Sequence, residues 1–202
     1  MASINKELVY AAINRAYALT DNNTVIDKRN EFRQQTICTD STLTKEEKSE
    51  AINILCKNHD YNKVIFNQGI KRECENCKLE CLASSYCEQC LQSYLKAKFP
   101  EWTSGNNEID NLIKKCQMEA FVPSRIVEWI PFDKLQNVKY LTKGGYSEIY
   151  TADWIDGSYN EWDSIRKQLI RYGRQKVILK RLENVESANR SWFEEVCNLK
   201  HY

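Results

Sequence analysis

The chain has 202 residues, with 29 basic and 28 acidic side chains and a formal net charge of +1. Hydrophobic residues make up 42% of the sequence and aromatic residues 11%, which is enough to build a core and argues against wholesale disorder. The near-neutral charge argues against nucleic-acid binding that depends on electrostatic contacts with phosphates. The lack of an apolar run of about 20 residues argues against a membrane-spanning helix.

The N-terminal stretch does not have the pattern of a signal peptide, because Arg15 interrupts its apolar residues. We therefore expect a cytoplasmic protein, with the nucleus as the alternative, in which thiols stay reduced. The sequence contains nine cysteines, an odd number that fits poorly with a set of disulfide bonds. A role other than disulfide bonding must therefore explain the high number of cysteines.

Residues 1–70 are predicted to form a helical region. Leu8, Ala12 and Leu19 recur at helical spacing, which indicates an amphipathic helix. Further on, Thr44 is followed three residues later by Glu47, a capping box that predicts the start of another helix.

A cysteine-rich segment, residues 71–100, comes next. It contains two C-x-x-C pairs separated by nine residues: Cys74, Cys77, Cys87 and Cys90. Two residues between thiolates let both sulfurs of a pair reach one tetrahedral ion at about 2.3 Å, so we predict a structural zinc site with four cysteine ligands. Cys81 lies between the pairs and could replace one ligand. The alternatives are a redox-active pair and simple burial of cysteines as small apolar residues.

Residues 101–135 are predicted to be a helical connector, with a helix that follows the sequence WTSGNN. Beyond Pro131, three runs rich in β-branched and aromatic residues predict antiparallel strands: NVKYL, EIYTADW and KVILKRL. Between the last two runs lies an insertion, residues 155–175, in which Trp162, Leu169 and Ile170 have helix-like spacing. A packed surface hairpin is the alternative for this insertion. The final segment returns to a helical period, with Ser187 as its N-cap.

A lysine in the last predicted strand lies on an apolar face. Strand alternation places Ile178, Lys180 and Leu182 on one side of the sheet. When the final segment is wound as a helix, Glu195 falls within its apolar stripe. A buried carboxylate needs a cation, so we predict an ion pair between Lys180 and Glu195.

A glycine-containing hairpin followed by a strand lysine and a helix glutamate resembles the arrangement with which protein kinases hold ATP. Residues 136–202 resemble the N-terminal lobe of a protein kinase through its αC helix. The resemblance implies an antiparallel sheet plus αC and binding of ATP with Mg²⁺. Its implied ATP-binding residues are the adenine roof Leu141 and Ile149, the lid Gly144, Gly145 and Tyr146, the phosphate lysine Lys180, and its αC partner Glu195.

Most of the chain also resembles a group of kinase-like proteins expanded in arbuscular mycorrhizal fungi. In that group a C-x-x-C module, a WTSGN segment (here residues 102–106) and an EWIP segment (here residues 128–131) precede the kinase domain. The present sequence departs from the kinase pattern, because Thr142 and Ser147 replace two lid glycines and Ile178 replaces a small alanine. It also has no H-R-D and no D-F-G sequence, so we expect this chain alone to be catalytically inactive.

The sequence therefore predicts an α+β protein, in which a helical, zinc-stapled N-terminal region precedes an incomplete protein-kinase-like N-lobe, residues 136–202. The family activity is phosphoryl transfer from ATP to serine, threonine or tyrosine in proteins. The alternative function is a non-catalytic interaction or regulatory module that contacts another protein through an open sheet edge. Zinc-mediated nucleic-acid binding is a third, disfavoured hypothesis, and it would use Lys71, Arg72, Arg166, Arg171, Arg174 and Lys176.

Overall fold

The computed structural model describes residues 4–143 and 147–182. They form helices and small antiparallel sheets, which confirms the predicted α+β class. The chain divides into two compact units, Met1–Cys90 and Leu91–Tyr202. The α-helices of the described residues are α1 (Lys6–Ala18), α2 (Ile26–Thr39), α3 (Lys45–Phe66), α4 (Glu88–Lys98) and α5 (Asn107–Met118), and short 3-10 helices cover Phe99–Glu101, Pro123–Arg125 and Phe132–Lys134. The strands are β1 (Arg72–Glu73), β2 (Glu80–Cys81), β3 (Leu135–Lys143), β4 (Ser147–Trp154), β5 (Tyr159–Asp163), β6 (Gln168–Arg171) and β7 (Gln175–Leu182).

In the first unit, α1, α2 and α3 pack against one another around an apolar core. Its largest fully buried side chains include Val9, Ile37 and Leu55. The predicted capping box is confirmed at the start of α3, because Thr44 Oγ1 accepts a hydrogen bond from the Glu47 N–H at 3.2 Å, and the Glu47 carboxylate accepts one from the Thr44 N–H at 2.9 Å. This reciprocal pairing satisfies backbone donors that a helix start otherwise leaves open.

A polar junction joins α2, α3 and the chain that leads to the cysteine segment. Asp27 Oδ1 lies 3.0 Å from His59 Nε2 and 3.4 Å from Lys63 Nζ, and Asp27 Oδ2 accepts a hydrogen bond from the Ile70 N–H at 2.9 Å. Lys63 also donates to the Ile70 carbonyl at 2.8 Å. Partial burial opposes ionisation of Asp27, but the Ile70 N–H and the Lys63 ammonium hold its pKa below the usual value. The junction fixes the point at which the chain leaves α3.

In the second unit, the three predicted strand runs form one antiparallel sheet with the order β3–β4–β7. Thr151 lies opposite Ile178 and Ile149 lies opposite Lys180 across the β4–β7 pair. The β3–β4 pairing shifts its register between Tyr140 and Thr142, which marks a bulge. The buried residues of the central strand β4 include Ala152 and Trp154.

The insertion between β4 and β7 is a hairpin made of β5 and β6. The helix suggested by the spacing of its apolar residues is therefore wrong, and the alternative, a hairpin, is correct. Trp162 pairs with Leu169 across the hairpin, and the Trp162 ring meets the Tyr94 ring edge-on with 5.5 Å between centroids. At the hairpin base, Gly157 has φ +65°, and a Cβ there would lie 1.9 Å from the Gly173 carbonyl oxygen. Only glycine fits this approach of two backbones.

Each helix in the described part of the chain is too short or too polar to cross a bilayer. The predicted final helix, with Ser187 and Glu195, lies outside the described residues. The predicted ion pair between Lys180 and Glu195 therefore remains a prediction.

Candidate functional site

The first cysteine pair lies in the turn of the β1–β2 hairpin. The Cys74 N–H donates to the Leu79 carbonyl and the Lys78 N–H donates to the Cys74 carbonyl, each at 2.9 Å. Lys78 has a left-handed backbone with φ +63°, which turns the chain sharply just after Cys77. The hairpin thus presents both thiols of the pair on one tight turn.

The second cysteine pair lies at the start of α4. Cys87 immediately precedes this helix and Cys90 lies in its first turn. Glu88 Oε1 accepts hydrogen bonds from the Leu82 and Ala83 N–H groups, both at 2.9 Å. Glu88 therefore ties the helix start to the loop that comes from the hairpin.

The four sulfur atoms lie within 4.8 Å of one another. Cys74 Sγ is 3.7 Å from Cys90 Sγ, and Cys77 Sγ is 3.6 Å from Cys87 Sγ. A tetrahedral ion with metal–sulfur bonds of about 2.3 Å holds its ligand sulfurs about 3.8 Å apart. The observed separations match this value, so the predicted cluster is assembled and could hold a metal ion.

The thiols of the cluster differ in acidity. Hydrogen bonding, led by the Cys77 N–H, lowers the pKa of Cys74 to about 6, whereas burial raises the pKa of Cys87 to about 12 and also raises that of Cys90. The hydrogen bonds at Cys74 thus favour its thiolate, whereas burial favours the protonated thiol at Cys87. A metal ion would replace the remaining thiol protons, because thiolates are the form that binds.

Cys81 is buried on β2 and belongs to a second group of close ligand atoms, together with Cys87 and Glu88. The Glu88 oxygen Oε1 in this neighbourhood already accepts two backbone hydrogen bonds. Burial raises the pKa of the Cys81 thiol to about 11. The set formed by Cys74, Cys77, Cys87 and Cys90 is therefore the better metal site of the two.

A buried carboxylate from α3 holds the loop between the two cysteine pairs. Asp60 is 2% exposed, and it accepts hydrogen bonds from the Ser84 N–H at 2.6 Å, the Ser85 N–H at 2.9 Å and the Ser85 hydroxyl at 2.5 Å. Arg72 braces the same loop through the Ala83 carbonyl at 2.8 Å and the Tyr86 carbonyl at 2.5 Å. Sequence reasoning missed Asp60, because it lies on a helix that had no predicted link to the cysteines.

The implied ATP-binding residues fall on the three-stranded sheet where the structure describes them. Ile149 is half-buried and lies opposite the exposed Lys180, so both side chains project from the same face of the sheet. Leu141, which lies in the β3 bulge, is 57% exposed. Gly144, Gly145, Tyr146 and Glu195 lie outside the described residues.

A cavity of about 440 Å³ opens beside these residues. Its lining includes Lys139, Thr151, Lys176 and Ile178. Thr151 and Ile178 form the cross-strand pair two residues along from Ile149 and Lys180, so they lie on the same sheet face. The sheet therefore offers a concave, partly basic surface next to the position of Lys180.

Most of the basic residues considered for nucleic-acid binding are engaged within the protein. Lys71 lies 3.3 Å from Glu80, Arg166 lies 3.4 Å from Asp163, Arg174 lies 3.4 Å from Asp153, and Arg171 pairs with Glu128. Arg72 donates to two backbone carbonyls of the cysteine segment.

Comparisons of this chain with protein-family models, with curated proteins and with solved structures found no match.

Replacement of Asp60 by alanine should destabilise the first unit. The change removes the acceptor for three donors of the 82–86 loop, and we expect the free energy of unfolding to fall by about 2 kcal/mol. Urea unfolding followed by circular dichroism measures this loss. Glu31→Ala is the matched control, because Glu31 is an exposed carboxylate on α2 and should change stability by less than about 0.5 kcal/mol. Equal effects of the two substitutions would show that Asp60 does not brace the loop.

Proposed function

We propose that this chain is a zinc-stapled polypeptide whose three-stranded sheet is the nucleotide-contacting part of a protein-kinase-like N-lobe. The proposal of a zinc centre is supported by the distances between cysteine sulfur atoms in a four-cysteine cluster, which are 3.7 Å for Cys74–Cys90 and 3.6 Å for Cys77–Cys87. The proposal of nucleotide contact is supported by the register of the β4–β7 pair, which places Lys180 opposite Ile149. In the sequence, β4 begins just after the two glycines, Gly144 and Gly145.

Zinc is the ion that best suits the cysteine cluster. Four thiolates form a soft, tetrahedral ligand set, for which zinc and iron are the usual metals, and a closed set of four protein ligands leaves no position for a reacting water. The role is therefore structural. The ion would join the β1–β2 hairpin to the start of α4, which are short elements with few apolar residues between them.

Purified protein should contain close to one equivalent of zinc. Cys90→Ser should reduce the bound zinc to well below half an equivalent, because it removes one of four ligands. Removal of zinc with a chelator should lower the free energy of unfolding of the first unit by at least about 3 kcal/mol. Metal analysis and chemical denaturation measure these two effects.

Cys38→Ser is the matched control for the zinc measurement, because Cys38 is an exposed free thiol of α2 outside the cluster. It should leave the zinc content unchanged. Wild-type protein that binds no zinc when refolded with the ion in excess would rule out the metal centre.

Nucleotide contact is supported by the chemistry of one sheet face. Ile149, Thr151 and Ile178 supply apolar and hydroxyl groups there, and Lys180 supplies an ammonium group. Within the described residues Lys180 has no carboxylate partner at ion-pair distance. An ammonium group is suited to phosphate oxygens, and in the sequence Gly144 and Gly145 come just before β4. Glycine is a residue type that allows backbone N–H groups to come close to a phosphate. Contact with ATP, rather than turnover, is the function assigned to this chain.

Millimolar Mg-ATP should raise the melting temperature of the protein. Ligand at ten times its dissociation constant stabilises a native state by about 1.4 kcal/mol, which corresponds to about 3 °C for a chain of this size. Lys180→Met should abolish the shift, since it removes the phosphate-facing charge. Differential scanning fluorimetry makes the measurement.

Lys115→Met is the control for Lys180→Met. Lys115 is an exposed lysine near the end of α5 that does not line the cavity on the sheet, and its loss should affect the shift only slightly. If wild-type protein shows no shift at 10 mM nucleotide, or if Lys180→Met responds as wild type does, ATP contact is wrong.

A second candidate function is a non-catalytic interaction module. Within the described residues β3 and β7 each pair along one side only, and large apolar side chains near these edges are exposed: Tyr140 by 59%, Leu141 by 57% and Ile178 by 63%. Open strand edges of this kind favour pairing with another chain.

Wild-type protein should therefore show a molar mass that rises with concentration in size-exclusion chromatography with light scattering. Ile178→Lys should suppress the rise, because a charge on an edge strand disfavours pairing. Ile165→Lys is the matched control, since Ile165 is 91% exposed but lies in the turn between β5 and β6. If the wild-type protein stays a monomer at every concentration up to about 0.5 mM, that result counts against this function.

A further inference from the structure

The second unit contains a cavity of about 400 Å³ that neither the metal centre nor the sheet face uses. Its lining includes four aromatic side chains, Trp102, Trp129, Trp154 and Tyr159. Trp102 comes from the WTSGN segment and Trp129 from the EWIP segment, so two segments that are far apart in the sequence meet here. The volume lies within the range of small-ligand sites, about 300–1,000 Å³.

One carboxylate in the cavity wall lacks a complete set of partners. The Glu128 side chain is only 9% exposed. The Arg171 guanidinium donates to Glu128 Oε2, whereas within the described residues Oε1 is buried with no hydrogen-bond partner. Burial raises the pKa of Glu128 above its usual value, against the opposing effects of the Arg171 guanidinium and of the nearby Tyr159 N–H. A buried acceptor that lacks a donor is costly, and a donor supplied by a ligand would remove that cost.

The aromatic rings of the cavity already attract a cation. The Arg171 guanidinium carbon lies 3.9 Å from the centroid of the Tyr159 ring and 5.7 Å from that of Trp154. Trp129 is 38% exposed, and no cation from the part of the chain that the structure describes lies over its ring. Ring faces carry partial negative charge and bind organic cations, which is how aromatic cages recognise alkylated ammonium groups.

We propose that this cavity binds an organic ammonium ion that carries at least one N–H, of the kind found at the end of a lysine or methyl-lysine side chain. The alkyl groups and the positive charge would contact the tryptophan rings. The N–H would donate to Glu128 Oε1, the carboxylate oxygen to which Arg171 does not bond.

Other ligand classes match the cavity less well. An anion would meet the Glu128 carboxylate, and the nearest cation, Arg171, is already paired with that carboxylate. The two other basic side chains of the lining are also paired, Lys134 with Asp156 at 3.3 Å and Lys98 with Glu101 at 2.9 Å. A neutral ring would stack on tryptophan but would bring no charge-assisted donor to Glu128.

Titration with four amide-capped amino acids tests the inference. The probes are lysine, dimethyllysine, trimethyllysine and norleucine, and binding is followed by tryptophan fluorescence and by NMR. Dimethyllysine should bind most tightly, because it combines methyl groups with one N–H. Trimethyllysine, which has no N–H, should bind about tenfold more weakly, and the uncharged norleucine should not bind detectably. Equal affinity for dimethyllysine and trimethyllysine, or binding of norleucine, would overturn the assignment.

Trp129→Ala should weaken dimethyllysine binding at least tenfold. Phe132→Ala is the matched control, because Phe132 is a 74% exposed aromatic residue three positions away that does not line the cavity. If the two variants bind alike, the cavity is not the site. Glu128→Gln should reduce the preference for dimethyllysine over trimethyllysine, a change in selectivity that general loss of stability does not produce.

A final comparison identifies the source of the ammonium group. Tighter binding of a lysine-containing peptide than of 1,5-diaminopentane assigns a protein side chain as the occupant, and the reverse order assigns a free diamine. Either order supports an ammonium site, whereas binding of neither compound refutes it. Zinc content and the Mg-ATP shift are measured on the same wild-type sample, so failure of the zinc or nucleotide proposals is distinguishable from failure of this one.

Discussion

The hydrogen bonding of Asp60 is the constraint on which the cysteine segment depends. The two cysteine pairs are separated by a nine-residue loop, to which Arg72 of β1 and Glu88 at the start of α4 also form hydrogen bonds from within the cysteine segment. A carboxylate anchored in a long helix accepts three hydrogen bonds from the loop, and in this way it transfers the rigidity of the helical core to the sulfur cluster. The Asp27 junction does the same one step earlier, where the chain leaves α3.

The sequence contained enough information for the elements that depend on local signals. The capping box at Thr44 and the turn that holds Cys74 and Cys77 are short-range patterns, and their geometry follows from hydrogen bonds between nearby residues. The three strand runs of the second unit were also predictable, because β-branched and aromatic residues recur there between turns.

The features that escaped prediction depend on partners that are distant in sequence. Asp60 meets residues 24 and 25 positions away, and no periodicity marks it as different from other helix carboxylates. The insertion gave a helical spacing by coincidence, because Trp162 and Leu169 are opposite each other in a hairpin rather than neighbours on a helix. The tryptophan cavity likewise collects residues from segments that lie tens of residues apart. A local sequence pattern does not predict such contacts, because they form only through tertiary packing.

The contact between Gly157 and Gly173 has a consequence for how this architecture can diverge. The two backbones approach so closely that even a methyl group at position 157 would force the strands of the hairpin apart. Tyr159 and Arg171, which follow and precede these glycines, would then separate from their present stacking. A side chain at position 157 would therefore remove this stacking, and with it part of the wall of the tryptophan cavity, in a single step. Glycine at that position is the diagnostic residue to seek in any sequence thought to share this pocket.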